Sequence, residues 1–159
     1  MHKGLETLHN LTVFKKFIFY SIYIMIFFKR YKFSIIVTLF IFYVSILKPA
    51  QLPSVPLFFG ADKLIHLLMY FVLALLLNVE TQRSLRVPQG TLRWLSYSKP
   101  QIFITLVFPV LFGGIIELLQ KYFFAPRTGE WSDFAANTLG VLLAFFIFHK
   151  FLKNRLNRK

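Results

Sequence analysis

The chain has 159 residues, 57% hydrophobic and 19% aromatic, with only 16% charged, yet it carries a formal net charge of +13. Soluble domains usually hold roughly 25% charged residues, so this composition excludes intrinsic disorder and an ordinary soluble fold. A nucleic-acid binder would set its basic excess on a polar face that this chain lacks, and the absence of cysteine removes disulfides, thiolate metal sites and cysteine nucleophiles.

Five apolar stretches follow in chain order: Phe17–Phe28, Phe33–Leu47, Leu64–Val79, Ile102–Leu119 and Phe134–Phe148. A spanning helix needs about 20 residues, with about 17 as the practical minimum. The last four reach that length once flanking Tyr, Lys and Trp side chains anchor or snorkel at the interface. The first covers only roughly 18 Å at 1.5 Å per residue and is bracketed by Lys15-Lys16 and Lys29-Arg30. It reads as a short interfacial helix, or as an extension upstream of a start at Met25. A signal peptide is disfavoured because Lys29-Arg30-Tyr31-Lys32 stands where a small-residue cleavage site belongs.

The reading is therefore an all-α polytopic membrane protein with four transmembrane helices. Residues 1–32 form a basic N-terminal extension, 33–150 the membrane domain, and 151–159 a basic tail. Fifteen basic residues lie ahead of the first span, between spans two and three, or after span four; the opposite side holds only Lys48, Lys63, Lys121 and Arg127. The positive-inside rule then places both termini and the middle loop in the cytoplasm. Loop one, with Pro49, Pro53 and Pro56, is extended rather than helical. Loop three carries the turn signal Ala125-Pro126-Arg127-Thr128-Gly129 ahead of the interfacial Trp131. Pro109 predicts a kink in span three.

Against this apolar background the polar residues cluster at the outer helix ends. Asp62, Lys63 and His66 open span two, Glu117 and Gln120 close span three, Asp133 and Asn137 open span four, and Arg127 lies in the loop between the last two. The i,i+4 spacings of Asp62/His66 and Asp133/Asn137, and the i,i+3 spacing of Glu117/Gln120, put each pair on one helix face. A carboxylate facing lipid at mid-membrane costs on the order of 2.5–3.5 kcal/mol, less near the edge. Glu117 is therefore expected to face the bundle and meet Lys63, His66 or Arg127, with Gln120 and Asn137 supplying amides. Gly113, Gly114, Ala136 and Gly140 allow close helix packing there. Each residue also has a plainer reading: Asp62 and Asp133 as N-caps, Gln120 and Asn137 as interhelical hydrogen-bonding groups, His66 as an interhelical donor, and Lys63 and Lys121 as snorkelling anchors.

The segments Asp62-Lys63-Leu64-Ile65-His66, Gly114-Ile115-Ile116-Glu117-Leu118-Leu119-Gln120, and Arg127 followed by Asp133-Phe134-Ala135-Ala136-Asn137-Thr138-Leu139-Gly140 resemble the VanZ-like family of bacterial integral membrane proteins. The likeness covers roughly residues 33–150. It implies a small helical protein of the bacterial cytoplasmic membrane, with Asp62, Lys63, His66, Glu117, Gln120, Arg127, Asp133, Asn137 and Gly140 as signature positions. The name-giving member is associated with resistance to the glycopeptide teicoplanin. A shared fold transfers no reaction, so function has to come from the site.

Three functional readings stand. The first is a non-enzymatic accessory factor that engages an extracytoplasmic lipid-linked or amphipathic ligand, an envelope precursor or a glycopeptide. Asp62 and Asp133 would repel a purely anionic group, so a zwitterionic or partly cationic head suits it better. The second is an intramembrane enzyme acting on a lipid or envelope precursor, in which Asp62, His66, Glu117 and Asp133 supply acid–base chemistry or metal ligands. Neither HExxH nor GxSxG is present, and the first reading calls for no cofactor and no metal. The third is a structural, partner-binding membrane protein. In all three, membrane lipids are partners and nucleic acid is not.

Overall fold

The computed structural model describes residues 2–47, 60–84, 99–124 and 129–152. The chain divides into two compact units, Met1–Lys32 and Phe33–Lys159. The first consists of helix α1, His2–Arg30, longer than the apolar stretch Phe17–Phe28 from which a short helix is expected. Helix propagation adds one hydrogen bond per residue once nucleated, so the helix runs through Lys15 and Lys16 rather than starting after them. Apolar residues encircle its Phe17–Phe28 portion, and every side chain described from Phe14 to Arg30 is exposed.

The second unit is an all-helical bundle: α2 (Lys32–Ile46), α3 (Ala61–Ser84), a single turn α4 (Lys99–Ile102), α5 (Phe108–Phe123) and α6 (Trp131–Ile147). A π-helical stretch, Phe103–Val107, joins α4 to α5, and another, Phe148–Leu152, extends α6. The first of these stands just ahead of Pro109, where a kink is expected. Proline cannot donate to the carbonyl four residues back and its ring crowds that carbonyl, so the ladder widens just before it, and the Phe108 N–H bonds Phe103 instead.

Three stretches are long and apolar enough to cross a membrane: Ala61–Arg83, Phe103–Phe123 and Trp131–Leu152. Helix α2, at 15 residues, is apolar but shorter. Polar residues are buried beside an apolar core of Ile41, Leu73, Ile116 and Val141, while many large apolar residues face outward. Ser34, Ser45, Asn78, Glu80, Thr105, Glu117, Gln120 and Asn137 are buried, while Leu39, Leu68, Val72, Leu111, Ile115, Leu142 and Phe146 are exposed. Water would penalise that distribution by about 25 cal/mol for each Å² of apolar surface left exposed, whereas a lipid solvent does not, and it requires the polar groups to be satisfied internally. The chain is thus a helical protein of membrane type.

Helices α3 and α6 form the central pair and run parallel, Lys63 meeting Asp133 and His66 meeting Asn137 in register. Gly140 sets their separation, because a methyl there would lie 2.2 Å from the Leu67 carbonyl oxygen. Gly113 sits under the Tyr70 ring and beside Asn137, and Gly114 against Phe134, at 3.1 to 3.3 Å from an added methyl. Ala136 is only half-buried. Helix α5 returns antiparallel to α6, so that Glu117 reaches Asn137.

Helix α2 is tied at both ends. Its first amides, Phe33 and Ser34, donate to the two oxygens of Glu80 near the end of α3 at 3.0 and 3.2 Å, and the Ser34 hydroxyl adds a bond of 2.5 Å. At the other end, the Gln120 amide donates to the Ser45 carbonyl at 3.0 Å. A carboxylate across a helix N-terminus satisfies orphan amides and complements the helix dipole.

Candidate functional site

The first turns of α3 and α6 and the last turns of α5 converge at one end of the bundle. At the rim, Lys63 Nζ lies between three carboxylates: Asp62 Oδ2 at 2.6 Å, Asp133 Oδ1 at 2.7 Å and Glu130 Oε2 at 3.1 Å. One ammonium can donate three hydrogen bonds, and here all three are used. Ser132 Oγ also donates to Glu130. Together with the Lys63 ammonium, this holds the Glu130 carboxyl below its ordinary value of 4.5. Asp133 is not the N-cap of α6. Glu130 holds that position without a side-chain capping bond, and Asp133 lies in the first turn.

Below the rim, Asn137 is fully buried and joins two elements. Its amide nitrogen donates to Glu117 Oε1 at 3.2 Å, and its amide oxygen faces His66 Nδ1 at 3.1 Å. An ionised carboxylate only accepts, so Glu117 fixes which end of the Asn137 amide points where. The amide oxygen then requires a proton on His66 Nδ1, which turns Nε2 toward Asp133 Oδ2, 3.8 Å away. Glu117 Oε1 stands 3.9 Å from His66 Nδ1, and its Oε2 accepts from the Glu130 backbone N–H. One donor atom from each of His66, Glu117 and Asp133 lies within 4.8 Å of the others.

A cleft of about 170 Å³ opens beside Glu117 between the end of α5 and the start of α6, walled by Leu118, Tyr122, Trp131 and Phe134 and flanked by Lys121 and Glu130. Gly129 shapes this wall; a methyl there would collide with the Glu117 backbone oxygen at 2.0 Å. Pockets for drug-sized ligands run to roughly 300–1,000 Å³, so this one fits a head group rather than a whole glycopeptide.

Of the residues singled out in the sequence, Asp62, Lys63, His66, Glu117, Asp133 and Asn137 meet in one network. Gln120 turns away to α2, and Arg127 lies outside the described residues, as does the proline-rich loop one. Four residues escape a sequence reading, two at this site and two at the α2 clamp. Glu130 carries no motif of its own and joins through Lys63. Tyr70 is 1% exposed, one turn after His66, and its buried hydroxyl has no hydrogen-bond partner among the described residues. Glu80 and Ser34 pair only through tertiary contact. A polar residue at the i+4 position from His66 was the one available signal, and it pointed to Tyr70.

Within the described network, four carboxylates face one ammonium and one imidazole, a formal excess of negative charge. The arrangement suits a cationic or zwitterionic group. Its imidazole–carboxylate pair can also hold or move a proton. Comparison with known protein families, with curated proteins and with solved structures finds no match for this chain.

Proposed function

We propose that this chain is a VanZ-like, four-span protein of the bacterial cytoplasmic membrane that acts as an accessory factor, engaging the cationic or zwitterionic head of a lipid-linked or amphipathic envelope ligand. The observation that carries this reading is the net-acidic cluster around Glu117 opening onto a cleft with an aromatic wall. Such a site offers charge to a head group and apolar surface to the chain attached to it. The same end of the bundle faces outward if the fifteen basic residues of the other side face the cytoplasm. In this topology both termini and residues 85–98 are cytoplasmic. Helix α2 covers about 22 Å of a hydrocarbon core of roughly 30 Å, a mismatch that local thinning of the bilayer accommodates. A link to glycopeptide susceptibility belongs to this reading and runs through an envelope precursor, in keeping with the size of the cleft.

The cysteine-free sequence gives a clean test of topology. Ser98→Cys should be shielded from a membrane-impermeant thiol reagent in intact cells, and Thr128→Cys should react; the reverse pattern overturns the orientation. For function, Glu117→Gln and Asp133→Asn, at normal membrane abundance, should abolish both photocrosslinking to an amine-bearing lipid-linked precursor and any effect on teicoplanin susceptibility. Retention of both in the two variants overturns the reading. The second reading, an enzyme acting on such a precursor, is favoured by the His66–Asp133 contact and predicts turnover by the purified protein.

A further inference from the structure

The residues at the base of the cluster are arranged as ligands and their supports, and we infer that His66, Glu117 and Asp133 form a binding site for one first-row divalent cation of the Zn²⁺ or Mn²⁺ type. Each of the three offers one donor atom, all within 4.8 Å of one another. Small side-chain rotations would bring those atoms to a common ion at the roughly 2.0–2.2 Å typical of metal–nitrogen and metal–oxygen bonds. His66 is presented in the correct form. Nδ1 is engaged by Asn137 and stands 3.9 Å from Glu117 Oε1, which leaves Nε2 to face Asp133 Oδ2. A metal-bound histidine characteristically gives its other ring N–H to such a partner.

The carboxylates are prepared in the same manner. Lys63 engages Asp133 through Oδ1 and leaves Oδ2 on the His66 side. Asn137 and the Glu130 amide orient Glu117. Asp62, by contrast, is committed to Lys63 at the exposed rim and lies outside the set, although sequence spacing groups it with the other three.

A second observation points to the same place. The Tyr70 hydroxyl is buried and has no hydrogen-bond partner among the described residues, a state that burial ordinarily penalises. Its ring lies over Gly113, one turn from Glu117, and on the side of Asn137. A water or ligand heteroatom held by the cation in an open coordination position supplies the partner that the phenol lacks. One imidazole with two carboxylates favours a borderline or hard transition ion over a soft one, and the nitrogen ligand disfavours Mg²⁺ and Ca²⁺.

The metal site shares residues with the proposed ligand site but does not rest on that reading, since metal uptake needs no envelope precursor. The test uses the full chain, purified in detergent, stripped with a chelator and dialysed against Zn²⁺ or Mn²⁺. The expected result is one equivalent of metal per chain. Glu117→Gln and Asp133→Asn should each lower affinity at least 100-fold, Asn137→Ala about 10- to 100-fold through lost orientation, and Asp62→Asn less than threefold. Tyr70→Phe should retain the metal and alter the visible spectrum of the Co²⁺-substituted protein. With only four histidines in the chain, ¹⁵N-histidine NMR of the unmutated protein should show the His66 Nε2 resonance move on addition of Zn²⁺, a readout that survives if a variant does not fold. Failure to take up stoichiometric metal, a His66 resonance unmoved by Zn²⁺, or equal affinity in folded Glu117→Gln and Asp133→Asn overturns the site. Metal uptake without precursor crosslinking would leave the site standing and sink the ligand reading alone.

Discussion

The two buried glutamates at opposite ends of the bundle face different fates. Glu80 is saturated: two backbone amides and a hydroxyl from the start of α2 occupy its oxygens, so it works as a clamp between α2 and α3. Glu117 is equally buried, but its partners are an asparagine amide and one backbone amide, with an imidazole and a second carboxylate close by and a cleft at its side. Burial alone therefore does not mark a functional acid in this protein. What separates the two is whether the hydrogen-bonding capacity is consumed by the fold or left facing other titratable groups.

The frame that positions both residues is the test with the largest expected effect. Gly140→Leu would drive a side chain into the backbone of α3 at Leu67 and Phe71, where rotamer changes offer no relief. The expected cost is about 3 kcal/mol or more, seen as loss of a monodisperse, thermally cooperative species in detergent. Next comes the clamp. Glu80→Ala should lower stability by about 2–4 kcal/mol, because three donors lose a charged acceptor. Glu80→Gln should rescue little of it, since an amide presents a donor to donors. Thermal unfolding monitored by circular dichroism measures both.

Glu117→Gln should lose less than Glu80→Gln in the same melt, because the cost of setting its new NH2 against the Glu130 amide is offset by relief of repulsion among the carboxylates, while function at the site is lost. A Glu117→Gln variant as unstable as Glu80→Gln would collapse the contrast and make both glutamates structural. The smallest effect concerns pH. Glu130 is held below its ordinary 4.5 by Lys63 and Ser132, so its contribution to stability is complete above that value and is lost as the pH falls through the lower, folded one. Glu130→Gln should remove this contribution, slightly lowering the melting temperature above pH 5 and flattening the acid limb below it.

Much of the polar end was legible because its residues sit at helical spacing in an apolar background. Asp62/His66 and Asp133/Asn137 needed only the i,i+4 rule to be placed on faces. The spacing could not say that Lys63 would draw Asp62 to the rim, or that Asn137, rather than a basic residue, would be the direct partner of both His66 and Glu117. Gln120 shows the limit from the other side. It shares a face with Glu117, yet its amide serves α2. The Glu80 clamp was illegible, since Ser34 and Glu80 are separated by 46 positions and neither belongs to a motif.

By itself, the sequence determined the solvent and the element type: a chain this apolar must satisfy its backbone within helices, and its charge pattern assigns basic residues to one set of connections. Tertiary structure alone decided which polar groups are consumed and which remain available. That choice depends on helix register, on Gly140 letting α3 and α6 approach, and on which donors each carboxylate meets there. None of these is a property of local sequence.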